Sequence, residues 1–230
     1  GIYAKNDLGL ATRANAKVTN EGTIEVNSTI DKAATGTAQS VNIGMRSDNL
    51  NGGSTSSEVI NKDDGTVHGK ITIDGNYAIG MLTSNSKLTN TGTISSTDVK
   101  NGVGIAGINS ATVQNNGVVK VLGTGDTNNI GIFLNTNSTG TAPSGGALTQ
   151  SVEVSGNNST GVLVSGGSSL TMGGTVKATG NAVTGVVANN TTITLNGTGG
   201  VTVNNGTSAA GKATIKVAGP TPGREVDAEK

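Results

Sequence analysis

Gly80-Met81-Leu82-Thr83-Ser84-Asn85-Ser86-Lys87-Leu88-Thr89-Asn90-Thr91-Gly92-Thr93-Ile94-Ser95 holds three short extended segments separated by small polar residues. Reduced to a pattern it reads Gly-apolar, then apolar-x-Asn, then Gly-x-apolar. The first element recurs at Gly1-Ile2, Gly44-Met45, Gly104-Ile105, Gly131-Ile132, Gly161-Val162 and Gly185-Val186. The apolar centre of the second recurs at Val18, Val59, Val113, Leu148, Leu170, Ile193 and Ile215. The third recurs at Gly22-Thr23-Ile24, Gly117-Val118-Val119, Gly174-Thr175-Val176 and Gly200-Val201-Thr202-Val203. The spacing of the middle element ranges from 22 residues (Leu148 to Leu170) to 41 (Val18 to Val59). A period of this size, built from three strand-like runs with no helical pattern, predicts an all-β parallel β-helix. One repeat cannot bury its apolar face alone, so about eight stacked coils, on the order of 40 Å in all, make the core.

Composition agrees with a solenoid better than with a globule. The 230 residues include 37 glycines, and only 33% are hydrophobic. Each coil needs few inward side chains but several tight corners, where Gly, Asn and Asp tolerate positive φ. Formal net charge is zero and 13% of residues are charged, which argues against nucleic acid or an anionic membrane as partner. The aromatic residues are Tyr3, Tyr77 and Phe133, too few for base-stacking platforms. The chain contains no cysteine, so disulfides and thiolate metal sites are excluded. No run of 18 apolar residues suggests insertion into a bilayer. The chain opens inside a repeat and is expected to be a segment of a longer protein. Residues 1–219 are expected to form one solenoid, with 220–230 as a disordered tail.

Alternation assigns the faces. The Ile, Met or Val after each repeat glycine points inward. The next position holds Tyr3, Arg46, Leu82, Ala106, Phe133, Leu163 and Val187. If this column points outward, its apolar members form a surface stripe, which marks a contact face. The expected ligand-binding residues are Leu82, Ala106, Phe133, Leu163 and Val187, with Arg46 and Asp48 at one end. Alternatively the stripe is covered by a loop, or the facing is reversed. Three stretches without repeat character, 27–41, 48–57 and 135–147, are expected to loop out of the stack and to add contacts. Asn20, Asn61, Asn90, Asn115 and then Gln150 fall two residues after the middle apolar centre. They are expected to form a ladder of side-chain amides at one corner, which turns apolar at Met172 and Leu195.

Motifs that suggest chemistry read as structure. Gly102-Val103-Gly104-Ile105-Ala106-Gly107 matches a dinucleotide fingerprint, but no helix follows to face a pyrophosphate. Gly206 to Ala213 approaches a P-loop yet lacks the hydroxyl residue after Lys212. His68 is the single histidine and reads as a surface residue. Catalysis of polysaccharide cleavage would need Asp63, Asp64 and Asp74 to converge in one groove. An ice-binding array of the Thr192-Ile193-Thr194 kind would need constant coil length. No catalytic residue, metal or cofactor is expected.

Blocks such as Lys87-Leu88-Thr89-Asn90-Thr91-Gly92-Thr93-Ile94, Val18-Thr19-Asn20-Glu21-Gly22-Thr23-Ile24-Glu25-Val26 and Gly1-Ile2-Tyr3-Ala4-Lys5-Asn6 resemble the passenger repeats of bacterial type V autotransporters, the large fusobacterial-type surface adhesins above all. The resemblance covers about residues 1–217. It implies a right-handed, three-faced β-helix on the extracellular side of the outer membrane. It also implies attachment to a host or bacterial cell-surface protein or glycan, with no enzymatic activity. The lack of cysteine suits a chain secreted through a narrow pore. A passive stalk, or a carbohydrate-acting β-helix enzyme, are the alternative readings.

Overall fold

A computed structural model describes residues 2–6, 16–29, 41–49, 57–144, 152–189, 191–195, 201–205 and 215–218. It is a parallel β-helix with three sheets, and no helix occurs among the described residues. The first sheet stacks eight strands: Ile2–Asn6, Asn42–Asn49, Ala78–Ser84, Val103–Ile108, Ile130–Leu134, Thr160–Ser165, Thr184–Asn189 and Ile215–Ala218. The second stacks seven: Lys17–Asn20, Glu58–Asn61, Lys87–Asn90, Thr112–Asn115, Thr139–Ser144, Ser169–Gly173 and Thr192–Leu195. The third runs from Thr23–Thr29 through Lys70–Asn76, Thr93–Ser95, Val118–Val121, Val152–Ser155 and Val176–Gly180 to Val201–Asn205. Val99–Lys100 pairs with the far end of Lys70–Asn76, so residues 96–98 bulge from this sheet between two paired segments.

The inward column follows the alternation. Met45, Met81, Ile105, Ile132, Val162 and Val186 are buried, and they meet Ile71, Ile94, Val119, Val152 and Val176 of the third sheet in one apolar core. The glycine before each inward residue is required by close approach and not by its φ. A Cβ on Gly80 would lie 2.7 Å from the Gly104 carbonyl oxygen and 2.6 Å from Ile94 Cγ2. On Gly44 it would lie 2.7 Å from the Gly80 carbonyl and 2.9 Å from Ile71 Cγ2. Gly104 of the Gly102-Val103-Gly104 run therefore belongs to this packing column, a Cβ on it lying 2.7 Å from the Gly131 carbonyl oxygen.

Each corner is closed by polar groups of the adjacent coil. Between the second and third sheets Asn20 Nδ2 donates to Asn61 Oδ1 (2.8 Å), Asn61 to Asn90 (2.8 Å) and Asn90 to Asn115 (2.7 Å). Asn61, Asn90 and Asn115 are fully buried, and Asn115 Nδ2 ends the series on the Gly117 carbonyl. Between the first and second sheets Asn85, Asn109 and Asn137 adopt positive φ of 49°, 56° and 57°, a conformation Asn tolerates better than most residues. Between the third and first sheets Asn101 (φ 52°) and Asn128 (φ 50°) do the same. There Asn101 Nδ2 donates to Asn76 Oδ1 at 2.9 Å and Asn128 Nδ2 to Asn101 Oδ1 at 3.3 Å.

Several expectations change. Residues 139–144 are a second-sheet strand, and Gly140, not Leu148, lies between Val113 and Leu170 in the middle column. A glycine there broke the apolar pattern and shifted the reading by one loop; its missing side chain leaves room for Leu134 and Leu170. Residues 27–29 continue a third-sheet strand, and 48–49 end a first-sheet strand. Residues 30–40, 50–56, 145–151, 206–214 and 219–230 lie outside the described residues, and with them Gln150, the P-loop-like stretch and the expected tail. The corner does become apolar at Met172, which is buried. His68 precedes the strand that starts at Lys70 instead of lying within it.

Gly80→Ala should lower the unfolding free energy by about 1–3 kcal/mol through overpacking, while Gly22→Ala, where a Cβ meets nothing within 4 Å, should change it little. Urea titrations of both variants check this. Asn61→Ala removes the donor to the buried Asn90 Oδ1 and one acceptor of Asn20 Nδ2, which keeps the Gly22 carbonyl at 3.0 Å, and should cost about 1–3 kcal/mol in all; calorimetry should show the transition lowered accordingly.

Candidate functional site

The three outer faces differ chemically. On the first sheet the expected stripe is a true column: Arg46 pairs in register with Leu82, Leu82 with Ala106, Ala106 with Phe133, Phe133 with Leu163, and Leu163 with Val187. It is not uniformly open. Phe133, Leu163 and Val187 are half-buried, but Leu82 is 8% exposed and Ala106 only 4%. The Ala106 methyl group sits between the larger Leu82 and Phe133 side chains at one rung's spacing, about 4.8 Å. Leu82 lies in turn between Ala106 and the long Arg46 side chain. Sequence reading missed a second outward column before the repeat glycine, where Ile43, Ile79, Val103 and Ile130 pair in series and are half-buried. The same alternation that revealed the first column would have found it.

Asp48 lies beneath the surface of this face. It is 1% exposed, and its Oδ2 accepts from Arg46 Nε at 2.7 Å. A buried carboxylate is retained because a cation meets it, so Asp48 anchors Arg46 and leaves Arg46 as the charged end of the stripe.

The acidic residues do not converge. Asp63 and Asp64 lie in the turn before Lys70–Asn76, and Asp74 lies near that strand's other end, roughly 13 Å from Lys70 along an extended strand. Asp63 Oδ1 accepts from the Gly65 amide at 3.0 Å and lies 3.2 Å from His68 Nδ1. These two interactions, the amide first, hold its carboxyl below the usual range. Asp64 is held at about 2, first by Lys62, 3.0 Å away, then by the amides of Val67 and Thr66. Both stay ionised, whereas a general acid needs a raised pKa. His68 is 72% exposed, as expected for a surface histidine. Asp74 Oδ1 accepts from the Thr97 amide and hydroxyl and from the Asp98 amide, and Asp98 repeats this toward Thr124 one coil on. They are corner ties. Among the described residues no three His, Cys, Asp or Glu side chains gather as a metal set.

On the third sheet Lys120, Glu153 and Lys177 pair in register, with Glu153 3.4 Å from Lys120 and 2.9 Å from Lys177. Burial opposes the charge on Glu153, but the hydrogen bond and charge of Lys177 and the charge of Lys120 outweigh it and hold the carboxyl below its ordinary value. On the second sheet the coils from Thr112 onward present hydroxyl and amide side chains without a charge.

Residues 1–116 match the family model described as the BigA third pectate lyase-like domain. No curated protein and no solved structure matches the chain.

Because the folded pKa of Glu153 lies below its unfolded value, its contribution to stability is present above the unfolded carboxylate pKa, near 4.3, and is lost as pH falls through the folded value. The stability gap between wild type and Glu153→Gln at neutral pH should therefore narrow from about pH 4.3 downward, as measured by denaturant titration across pH 3 to 7.

Proposed function

Because the chain belongs to the family of the BigA third pectate lyase-like domain, we propose that it is part of a bacterial surface adhesin's passenger, of the autotransporter kind, and attaches the cell to host cells or to other bacteria. A parallel β-helix of this kind holds its side chains at fixed spacing on three rigid faces. That suits display on the extracellular side of the outer membrane.

The observation that carries the reading is the outward column Phe133, Leu163 and Val187, three apolar side chains stacked in register and half-open to solvent. Such a column has no packing role inside the coil, since the neighbouring positions on the same strands already fill the core. Apolar area left on a rigid face is worth about 25 cal/mol per Å² to any partner that covers it. Arg46 would add a charged contact at the end of the column, while Leu82, Ala106 and Asp48 support the face from within.

The double variant Phe133→Asp/Leu163→Asp places charges on this column without touching the core. It should keep the β-rich circular dichroism of the wild type, with a modestly lower melting temperature because the two carboxylates face each other one rung apart, and lose at least tenfold in saturable binding to cultured host cells or partner bacteria. Undiminished binding would remove the column from the reading. Failure of the wild type to bind any cell would favour a passive stalk.

A further inference from the structure

The second sheet carries a face that the attachment reading leaves unused. Thr112, Thr139, Ser169 and Thr192 follow one another in register at one position of the strand. Two residues along the same strands, Gln114, Thr141, Thr171 and Thr194 form a parallel column. Seven of these eight positions hold a hydroxyl and the eighth a side-chain amide, and none is charged. Thr112, Gln114, Thr139, Ser169 and Thr194 are exposed, and Thr171 is half-buried. Below Thr112 the pattern breaks, because Lys87 and Thr89 are its register partners, followed by Glu58 and Ile60.

Unequal coil lengths do not disturb this array. The extra residues are taken up in the connections between strands, and the two columns stay paired position for position; the register shift between Ala142 and Ser144 falls beyond them. Along the axis the rails repeat every 4.8 Å or so, and across the strand they stand about 6.7 Å apart. Between them the residues Val113 and Leu170 point inward, so the floor is peptide backbone. Parallel strands also hold β-branched side chains in few rotamers, which fixes where the hydroxyls point.

We propose that this face binds an extended, uncharged, ribbon-shaped glycan of β-1,4-linked pyranoses lying along the solenoid axis. The inference rests on the attachment reading and gives it a substrate class and a second surface. Absence of charge matches a neutral polymer and gives nothing to an anionic one. Hydroxyls both donate and accept, as does the hydroxyl edge of a sugar ribbon. One pyranose is close to one rung in length, so each sugar meets one hydroxyl from each rail. Every single hydrogen bond exchanged with water contributes little, and binding therefore depends on several rungs engaging one chain at once. Short oligosaccharides should bind weakly and polymers well.

The test is retention of the purified chain on cellulose and on chitin, with coiled α-linked dextran as the control. It is paired with the triple variant Thr112→Val/Thr171→Val/Thr194→Val, which keeps side-chain shape and strand preference while deleting three hydroxyls. The expected result is retention on at least one β-1,4 polymer, none on dextran, and at least a tenfold weaker affinity for the variant at unchanged melting temperature. Equal retention of variant and wild type, or no retention on either polymer, overturns the proposal. If cell attachment persists in that case, the attachment reading survives without this face; if both fail, both fall. Shaping of growing ice crystals by the wild type without glycan retention would overturn it in favour of ordered water as the occupant.

Discussion

The structure depends on one constraint: every coil must present its neighbour with matching backbone groups at a single rung's spacing, whatever the length of chain between one strand and the next. A coil by itself has three strands with unpaired edges and three corners with unsatisfied amides. Its neighbours supply both. The asparagine series Asn20, Asn61, Asn90 and Asn115 shows how strictly this holds, since Asn61 and Asn90 each donate to the next member and accept from the one before. The glycine column through Gly44 and Gly80 answers the same demand in space, because a carbonyl of the adjacent coil lies where a side chain would begin. With apolar residues on one side of each strand and these ladders at the corners, the interior has little freedom to shift register.

Much of this was legible in the sequence because the inward positions obey local rules. The Gly-apolar element marks a strand whose glycine touches the next coil, and the Asn two residues past the middle centre marks a corner. Both signals survive insertions between them. The reading slipped at Gly140, where a glycine replaces the apolar centre and the pattern found a substitute at Leu148. Local alternation cannot distinguish an empty inward position from a loop. The corner asparagines Asn76, Asn101 and Asn128 escaped notice for a related reason: they lie at or beyond strand ends, and Asn is abundant enough that their spacing does not stand out.

The outer faces were less legible, because facing can be read from alternation but enclosure cannot. Leu82 and Ala106 do belong to the outward column, yet their ladder neighbours cover them, and Asp48 turns from a candidate contact into the buried partner of Arg46. The charged ladder of Lys120, Glu153 and Lys177 and the paired hydroxyl columns needed the register itself, since their members are joined only by stacking. An interior built on one rule thus carries faces of different chemistry: largely apolar on the first sheet, charged on the third, and on the second charged at Lys17, Glu58 and Lys87 but neutral and hydroxylated from Thr112 onward.

The central claim is the fixed register across coils of unequal length, and the absence of cysteine makes it directly measurable. Phe133→Cys/Leu163→Cys places two thiols one rung apart on neighbouring strands, within the reach of a disulfide, whereas Ala106→Cys/Leu163→Cys places them two rungs apart, at about 9.6 Å and beyond it. Under mild oxidation the account predicts rapid, near-complete intramolecular cross-linking of the first pair and none of the second. Cross-linking of both pairs at similar rates, or of neither, would contradict it.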